Sequence, residues 1–281
     1  MQALRRYVLP FLLAAFLAGP WLAGCAGMPH QEMSDARQAI RAAERAGAQK
    51  HAPELLGEAK ALVETARQEG SFGVAYTYSE PLVHLEYVLE AAGLARKAGL
   101  KNVLVSNGYI NREPADELLA VVDAANIDLK AFDPAFYREE TGGDLEEVKR
   151  FISQAAGRIH LEVTTLVIPT KTDSPSQIEG IARFLASLDR NIPLHLSCYY
   201  PQYRYSLPPT PVETVQELAV IARRHLPYVY MGNVGLEETN TFCPECGNLL
   251  IRRRGYSTAV LGARNGACTR CRAPSPIICS P

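Results

Sequence analysis

The N-terminal apolar run of the sequence lacks transmembrane length. The most apolar stretch, from Val8 to Ala18, is too short for a comfortable span. No Gly-rich phosphate loop is present: Gly108 stands alone after "SN", which argues against phosphoryl transfer. Charge of one sign is also lacking. Lys and Arg number 29 against 30 Asp and Glu, a formal net charge of −1. That balance argues against a generally basic protein coating nucleic acid, and no nucleic-acid partner is expected. What remains is a chain of 281 residues, 47% hydrophobic, with ample length for one large α/β domain or two smaller ones.

The N-terminus reads as a targeting segment. Arg5 and Arg6 precede the short apolar run, and Leu22-Ala23-Gly24-Cys25 resembles the bacterial lipobox, in which the chain is cut before the cysteine and the thiol is lipidated. Residues 1–24 are then a lipoprotein signal peptide, and Cys25 attaches the chain to a membrane. Ala26, in place of Asp, points to the outer membrane of the cell envelope. A start at Met28 or Met33 would instead leave the chain in the cytoplasm. Residues 25–69 form an alanine-rich helical segment. One stripe runs through Ala36, Ala39, Ile40, Ala43 and Ala46, and a second through Leu55, Ala59, Leu62, Val63 and Ala66. It is similar to small alanine-rich envelope lipoproteins, with a plain soluble spacer as the alternative.

From residue 73 the style changes. Strands are expected at "GVAYTY", "NVLVSN", "ANIDLKA", "IHLEVTTLVIP", "IPLHLSCYY" and "YVYMGNV", with helices at about 82–98, 113–124, 144–157, 175–188 and 211–225. Alternation of this kind means parallel strands covered by helices, as a doubly wound sheet or a partial barrel, with function at the C-terminal strand ends. Those ends carry Glu80, Ser106 and Asn107, then Asp128 and Lys130 two apart, and His195. Carboxylates and a lysine converging on one rim could hold a zwitterion; a purely structural Asp–Lys pair is the alternative.

Residues 73 to about 275 resemble the radical SAM enzyme of the AmmeMemoRadiSam system, a relative of the pyruvate formate-lyase activating enzymes. The motifs are "AYTYSEPLVHLEYV", "GLKNVLVSNGYIN", "NIDLKAFDPAFYR", "LEVTTLVIPTKTDS", "PLHLSCYYPQYR" and "FCPECGNLLIRRRGY". The resemblance implies an α/β fold, a partial TIM barrel of parallel strands over 73–236. It also implies SAM binding through Glu80, Ser106-Asn107, Asp128 and Lys130, and a protein substrate that the sequence leaves unknown. Cys198 stands where the family often has Arg. Family members hold a 4Fe–4S cluster on C-x3-C-x2-C, in a loop after the first barrel strand. That spacing occurs nowhere in this chain. "GVAYTY" corresponds to the family's second strand, so the first strand is expected to be missing, Gly70-Ser71 to be a seam between two unrelated pieces, and SAM binding to be weak or lost. A non-enzymatic envelope lipoprotein with an inert or artefactual C-terminal fusion is the competing expectation.

The tail carries its own signal. Cys243-Pro-Glu-Cys246 and Cys268-Thr-Arg-Cys271 are separated by 21 residues, close to zinc-ribbon spacing, so residues 240–276 are expected to close a tetrahedral zinc site on four thiolates. If the tail is exported, the same thiols would pair as disulfides.

Overall fold

Among the described residues, six parallel strands alternate with five helices of eight residues or more in the order of the chain, and each strand pairs with the next: β1 (Gly73–Tyr76), β2 (Lys101–Ser106), β3 (Ala124–Asp128), β4 (His160–Val167), β5 (Leu194–Cys198) and β6 (Val229–Gly232). A computed structural model of the chain describes residues 63–203, 205–234, 239–255 and 257–277. The signal segment, Cys25 and most of the helical segment 25–69 lie outside the described residues; 63–68 are helical. Among the described residues no helix is long and apolar enough to cross a membrane.

The sequential strand order separates a singly wound partial barrel from a doubly wound sheet, in which the order reverses at a switch point. Burial makes the same distinction. Leu104, Ile127, Val163 and Leu196 are fully buried on one face, under helices α1 (Leu85–Lys97), α2 (Arg112–Leu119), α3 (Leu145–Ala155), α4 (Pro175–Leu188) and α5 (Val212–Ala222). Their alternating neighbours, from Val105 and Asn126 to Thr164, Leu166 and His195, line a concave face that remains partly open. A sheet covered by helices on both faces would read as a continuous apolar run instead.

Two of the helices start on a capping side chain. Asp144 accepts from Glu146 N at 2.9 Å, and Ser174 caps α4 with Pro175 in its first turn. The third strand ends earlier than its apolar run suggests. The Leu129 N–H bonds back to Ile127 O at 3.1 Å, a three-residue turn that takes the chain out of the ladder after Asp128. Asn102, fully buried, ties the start of the sheet together. Its amide donates to the carbonyls of Ala92 and Val121, and its oxygen accepts from Tyr76 Oη, each at 3.0 Å. All of its side-chain capacity but one lone pair is used, which is why a buried amide is tolerated there.

The tail forms a separate small unit. A three-stranded antiparallel sheet, β7 (Thr241–Phe242), β8 (Leu249–Arg254) and β9 (Ser257–Val260), is followed by the short hairpin β10 (Ala263–Arg264) and β11 (Ala267–Cys268). Among the described residues its buried apolar cluster is Cys243, Leu250, Ile251 and Cys268, distinct from the barrel core.

Candidate functional site

At the C-terminal ends of β1 and β2, Glu80 works as a connector. It caps a 3-10 turn, Pro81–His84, by accepting from Leu82 N at 3.1 Å. The same carboxylate accepts from Ser106 Oγ at 2.7 Å and from Asn107 N at 2.8 Å. An ionised carboxylate offers about four lone-pair sites, so three internal donors leave about one for a ligand's ammonium group. Ser106 Oγ also accepts from Gly108 N at 3.0 Å, and Asn107 Oδ1 from Tyr109 N at 2.8 Å. Gly108 is required here: φ is +69°, and a Cβ would come within 2.8 Å of Ile127 Cγ2 and 3.2 Å of the Phe151 ring.

Past β3, Asp128 and Lys130 form an ion pair at 2.9 Å, each side chain 40% exposed. They meet although Lys130 lies beyond the strand, so the turn at Leu129, not strand alternation, brings them together. The Lys130 N–H donates to Tyr137 Oη at 3.0 Å. Burial pushes the Tyr137 phenol up to about 12, so it is neutral when it accepts that bond. The pair is open to solvent, so its own Coulomb energy is small, and both charges remain available to a ligand.

His195 does not join this rim. Register places it beside Thr164 on β4 and Tyr230 on β6, but its Nε2 turns to Glu162 Oε2 at 2.7 Å, towards the N-terminal strand ends. His160 Nε2 lies 3.1 Å from Glu162 Oε1, and the His195 ring stacks on Tyr230 with centroids 5.3 Å apart. Glu162, His160 and Tyr230 were missed in the sequence. The legible signal was the H-x-E alternation in "HLE", which sets both side chains on one face of β4. Burial alone would raise the Glu162 carboxyl, but hydrogen bonds from His160 and His195 hold it well below the usual carboxylate range. The hydrogen bond to Glu162 in turn raises His160, against its burial. This triad lines a cavity of about 740 Å³ between the concave face and the ribbon, walled by Tyr230 from the sheet and by Ile251 and Arg253 from β8.

A pH dependence follows. The raised His160 contributes stability that is complete below its unfolded value near 6.5 and is lost as pH rises through its higher folded value. In Glu162→Gln the hydrogen bond and Coulomb attraction that raise it are weakened. NMR titration is expected to show the His160 ring titrating above 6.5 in the parent protein and near or below 6.5 in the variant, leaving burial as the main influence. An unchanged midpoint would show that Glu162 does not set it.

The four tail cysteines converge. Their sulfurs all lie within 4.8 Å of one another, with Cys243–Cys271 at 3.6 Å and Cys246–Cys268 at 3.8 Å. Four thiolates at 2.3 Å from one ion stand about 3.8 Å apart along the edges of a tetrahedron, so the group fits a single metal ion. Each knuckle closes with a left-handed residue, Gly247 at φ +68° and Arg272 at φ +65°. Gly247 N returns to Cys243 O and Arg272 N to Cys268 O. The Cys271 backbone N–H, aided by that of Arg270, lowers the Cys268 thiol. Cys271 moves the other way: the Ala273 N–H favours its thiolate, but the contact with Cys246, burial and the other two thiols raise it. Four sulfurs this close do not all ionise without a cation among them.

The sequence profile of the Radical SAM superfamily matches residues 37–185, a span that crosses Gly70-Ser71 and begins within the segment read as a separate helical unit. An uncharacterized protein of Methanocaldococcus jannaschii is 38% identical over 205 residues, covering 71% of this chain and 61% of that protein. The (2S)-3-sulfopropanediol dehydratase activating enzyme of Klebsiella oxytoca is 26% identical over 114 residues, 40% of this chain and 36% of that enzyme. The chain thus spans less than two thirds of the length of either relative. Among solved structures, a domain of a pyruvate-formate lyase-activating enzyme from Bacteroides vulgatus superposes with a TM-score of 0.51 at 21% identity, covering 57% of this chain and 99% of that domain. That likeness concerns the fold. The superfamily implies SAM and a 4Fe–4S cluster. The cysteines of this chain do not fit the cluster: the spacing C-x3-C-x2-C is nowhere in the sequence. Among the described residues, Cys198 is buried by itself on β5, and the other four close a tetrahedron of single-ion size.

Proposed function

The chain belongs to the radical SAM superfamily, and we propose that it is a protein of the AmmeMemoRadiSam and pyruvate formate-lyase activating type. In this reading it retains weak SAM binding but does not cleave SAM reductively. The observation that carries it is the rim pairing of opposite charges: the open Asp128–Lys130 ion pair stands on the same strand-end face as Glu80 with its remaining acceptor site. Such a rim suits the methionine end of SAM, with Lys130 taking the carboxylate and Glu80 and Asp128 the ammonium group. Ser106 and Asn107 fix the Glu80 carboxylate in place. Internal partners already occupy most of Glu80, which supports weak binding.

Without cluster ligands the sulfonium has no bound electron donor, and neither Lys130 nor His195 can supply one. The protein reconstituted anaerobically with iron, sulfide and reductant is therefore expected to form no 5′-deoxyadenosine above a no-protein control. Calorimetry with SAM is expected to show feeble heat that disappears in Asp128→Ala. Formation of 5′-deoxyadenosine would refute the catalytic half of this reading. SAM binding indifferent to Asp128→Ala would refute the other half. In the ribbon we assign zinc, because closed four-thiolate sites of this spacing are structural zinc sites.

A second reading, an envelope lipoprotein anchored through lipidated Cys25 with an inert barrel behind it, is favoured by Leu22-Ala23-Gly24-Cys25. A native peptide crossing Gly70-Ser71, found in a lipid-modified chain, would support the fusion. Detection of the two flanks only on separate chains would exclude it.

A further inference from the structure

The near-neutral charge of the whole chain conceals a strong division. Between Thr239 and Ile277 there are six arginines, no lysine and one acidic residue, Glu245, a formal +5. With the whole chain at −1, the remaining residues carry −6. Four thiolates around a divalent ion contribute −2, so the metal-loaded ribbon still stands near +3. Arg253 points into the barrel seam, donating to Thr241 Oγ1 at 2.6 Å and standing over the Tyr230 ring. The other five, Arg252, Arg254, Arg264, Arg270 and Arg272, are exposed. Among the described residues, no salt bridge engages Arg252, Arg264, Arg270 or Arg272. β9 is exposed along its whole length.

A groove of about 460 Å³ lies at the ribbon–barrel seam, lined by Arg223 of the barrel and by Tyr228, Asn240, Phe242 and Pro244; the exposed ribbon arginines are not part of its lining. Phe242 is 52% exposed, although it stands next to the buried metal ligand Cys243. An exposed aromatic ring lining a groove, on a small unit whose positive charge is carried by arginine alone, has a defined complement.

We propose that the outer face of the ribbon binds single-stranded nucleic acid, with arginines on the phosphates and a base stacked on Phe242 at the groove. Arginine matches a phosphate with two parallel donors, and a single strand offers the unstacked bases that an aromatic groove can take. A duplex presents no free base to Phe242. An acidic polypeptide would satisfy the charge but not the ring. The proposal rests on the ribbon's exposed surface and is independent of SAM binding at the rim.

Fluorescence anisotropy with the full, zinc-loaded chain and labelled single-stranded RNA and DNA oligonucleotides tests it. Binding is expected to weaken between about 50 and 200 mM salt, with a log–log slope of about −2 if three phosphates are contacted, at about 0.7 each. Arg252→Gln with Arg270→Gln is expected to flatten that slope by about 1.4. Phe242→Ala is expected to weaken binding at least about fivefold with the slope unchanged, as loss of one base stack requires. Zinc content equal to the parent's shows that each variant keeps its fold. Absence of binding by the zinc-loaded parent at the lowest salt overturns the proposal. So does poly-glutamate binding as tightly as the oligonucleotides, or a Phe242→Ala variant that binds them as the parent does.

Discussion

Chelation of the ribbon metal will unfold residues 241–271 and leave the six-stranded sheet standing. The ribbon's own buried cluster is four residues, two of them the ligands Cys243 and Cys268. Such a core is far below what a unit of this size needs to fold by burial alone. The missing stability comes from metal ligation, which in comparable zinc peptides supplies about 10–16 kcal/mol of apparent free energy at neutral pH. Hydrogen exchange followed by mass spectrometry is expected to show protection across β7 to β11 lost on chelator addition and in Cys271→Ser, while β2 to β5 keep theirs. Cys198→Ala, which removes a buried thiol on β5 remote from the knuckles, is expected to leave the metal content at one per chain. Sulfur coordination below four in X-ray absorption, or full ribbon protection in the metal-free protein, would refute the single-ion site.

Phe151→Ala is expected to cost about 3–5 kcal/mol of barrel stability, the range for removing a fully buried aromatic ring. Phe151 has no exposure, and its ring, with Val148 and Ile127, fills the space directly beneath Gly108. Loss of the ring therefore removes the support of the loop that presents Ser106 and Asn107 to Glu80. Two readouts should move together: the urea midpoint falls, and the Asn107 and Gly108 amides exchange faster than those of β4. A lower midpoint with unchanged exchange at 107 and 108 would separate the core from the rim.

The alternation of apolar runs and helical stripes made the parallel α/β architecture legible, because strand burial repeats every two residues and helix burial at 3.6. Helix α4 starts at the predicted residue, 175, where a proline opens its first turn. The end of β3 was not legible. "NIDLKA" continues as a strand by composition, and only the Leu129–Ile127 hydrogen bond ends it. Glu80 was read as a free ligand carboxylate, yet three of its acceptor sites are taken by donors at residues 82, 106 and 107. Two of those lie 26 and 27 positions away, a separation at which local pattern carries no information.

The four ribbon cysteines were determined by sequence alone, since two C-x2-C knuckles bring their own ligands together by local turn geometry. The same holds for the order of strands and helices and for the absence of cluster spacing, which are properties of neighbours along the chain. Tertiary structure decided the rest. It set His195 against Glu162 and His160, because register between parallel strands is fixed by how whole strands pack and not by any one residue. It also turned Arg253 inward while exposing Arg252 and Arg270. Sequence counts charges over the whole chain and sums them to −1, whereas folding distributes them in space. Screening confines each exposed charge to its surroundings within about 8–10 Å, so a partner meets the local face and not the total.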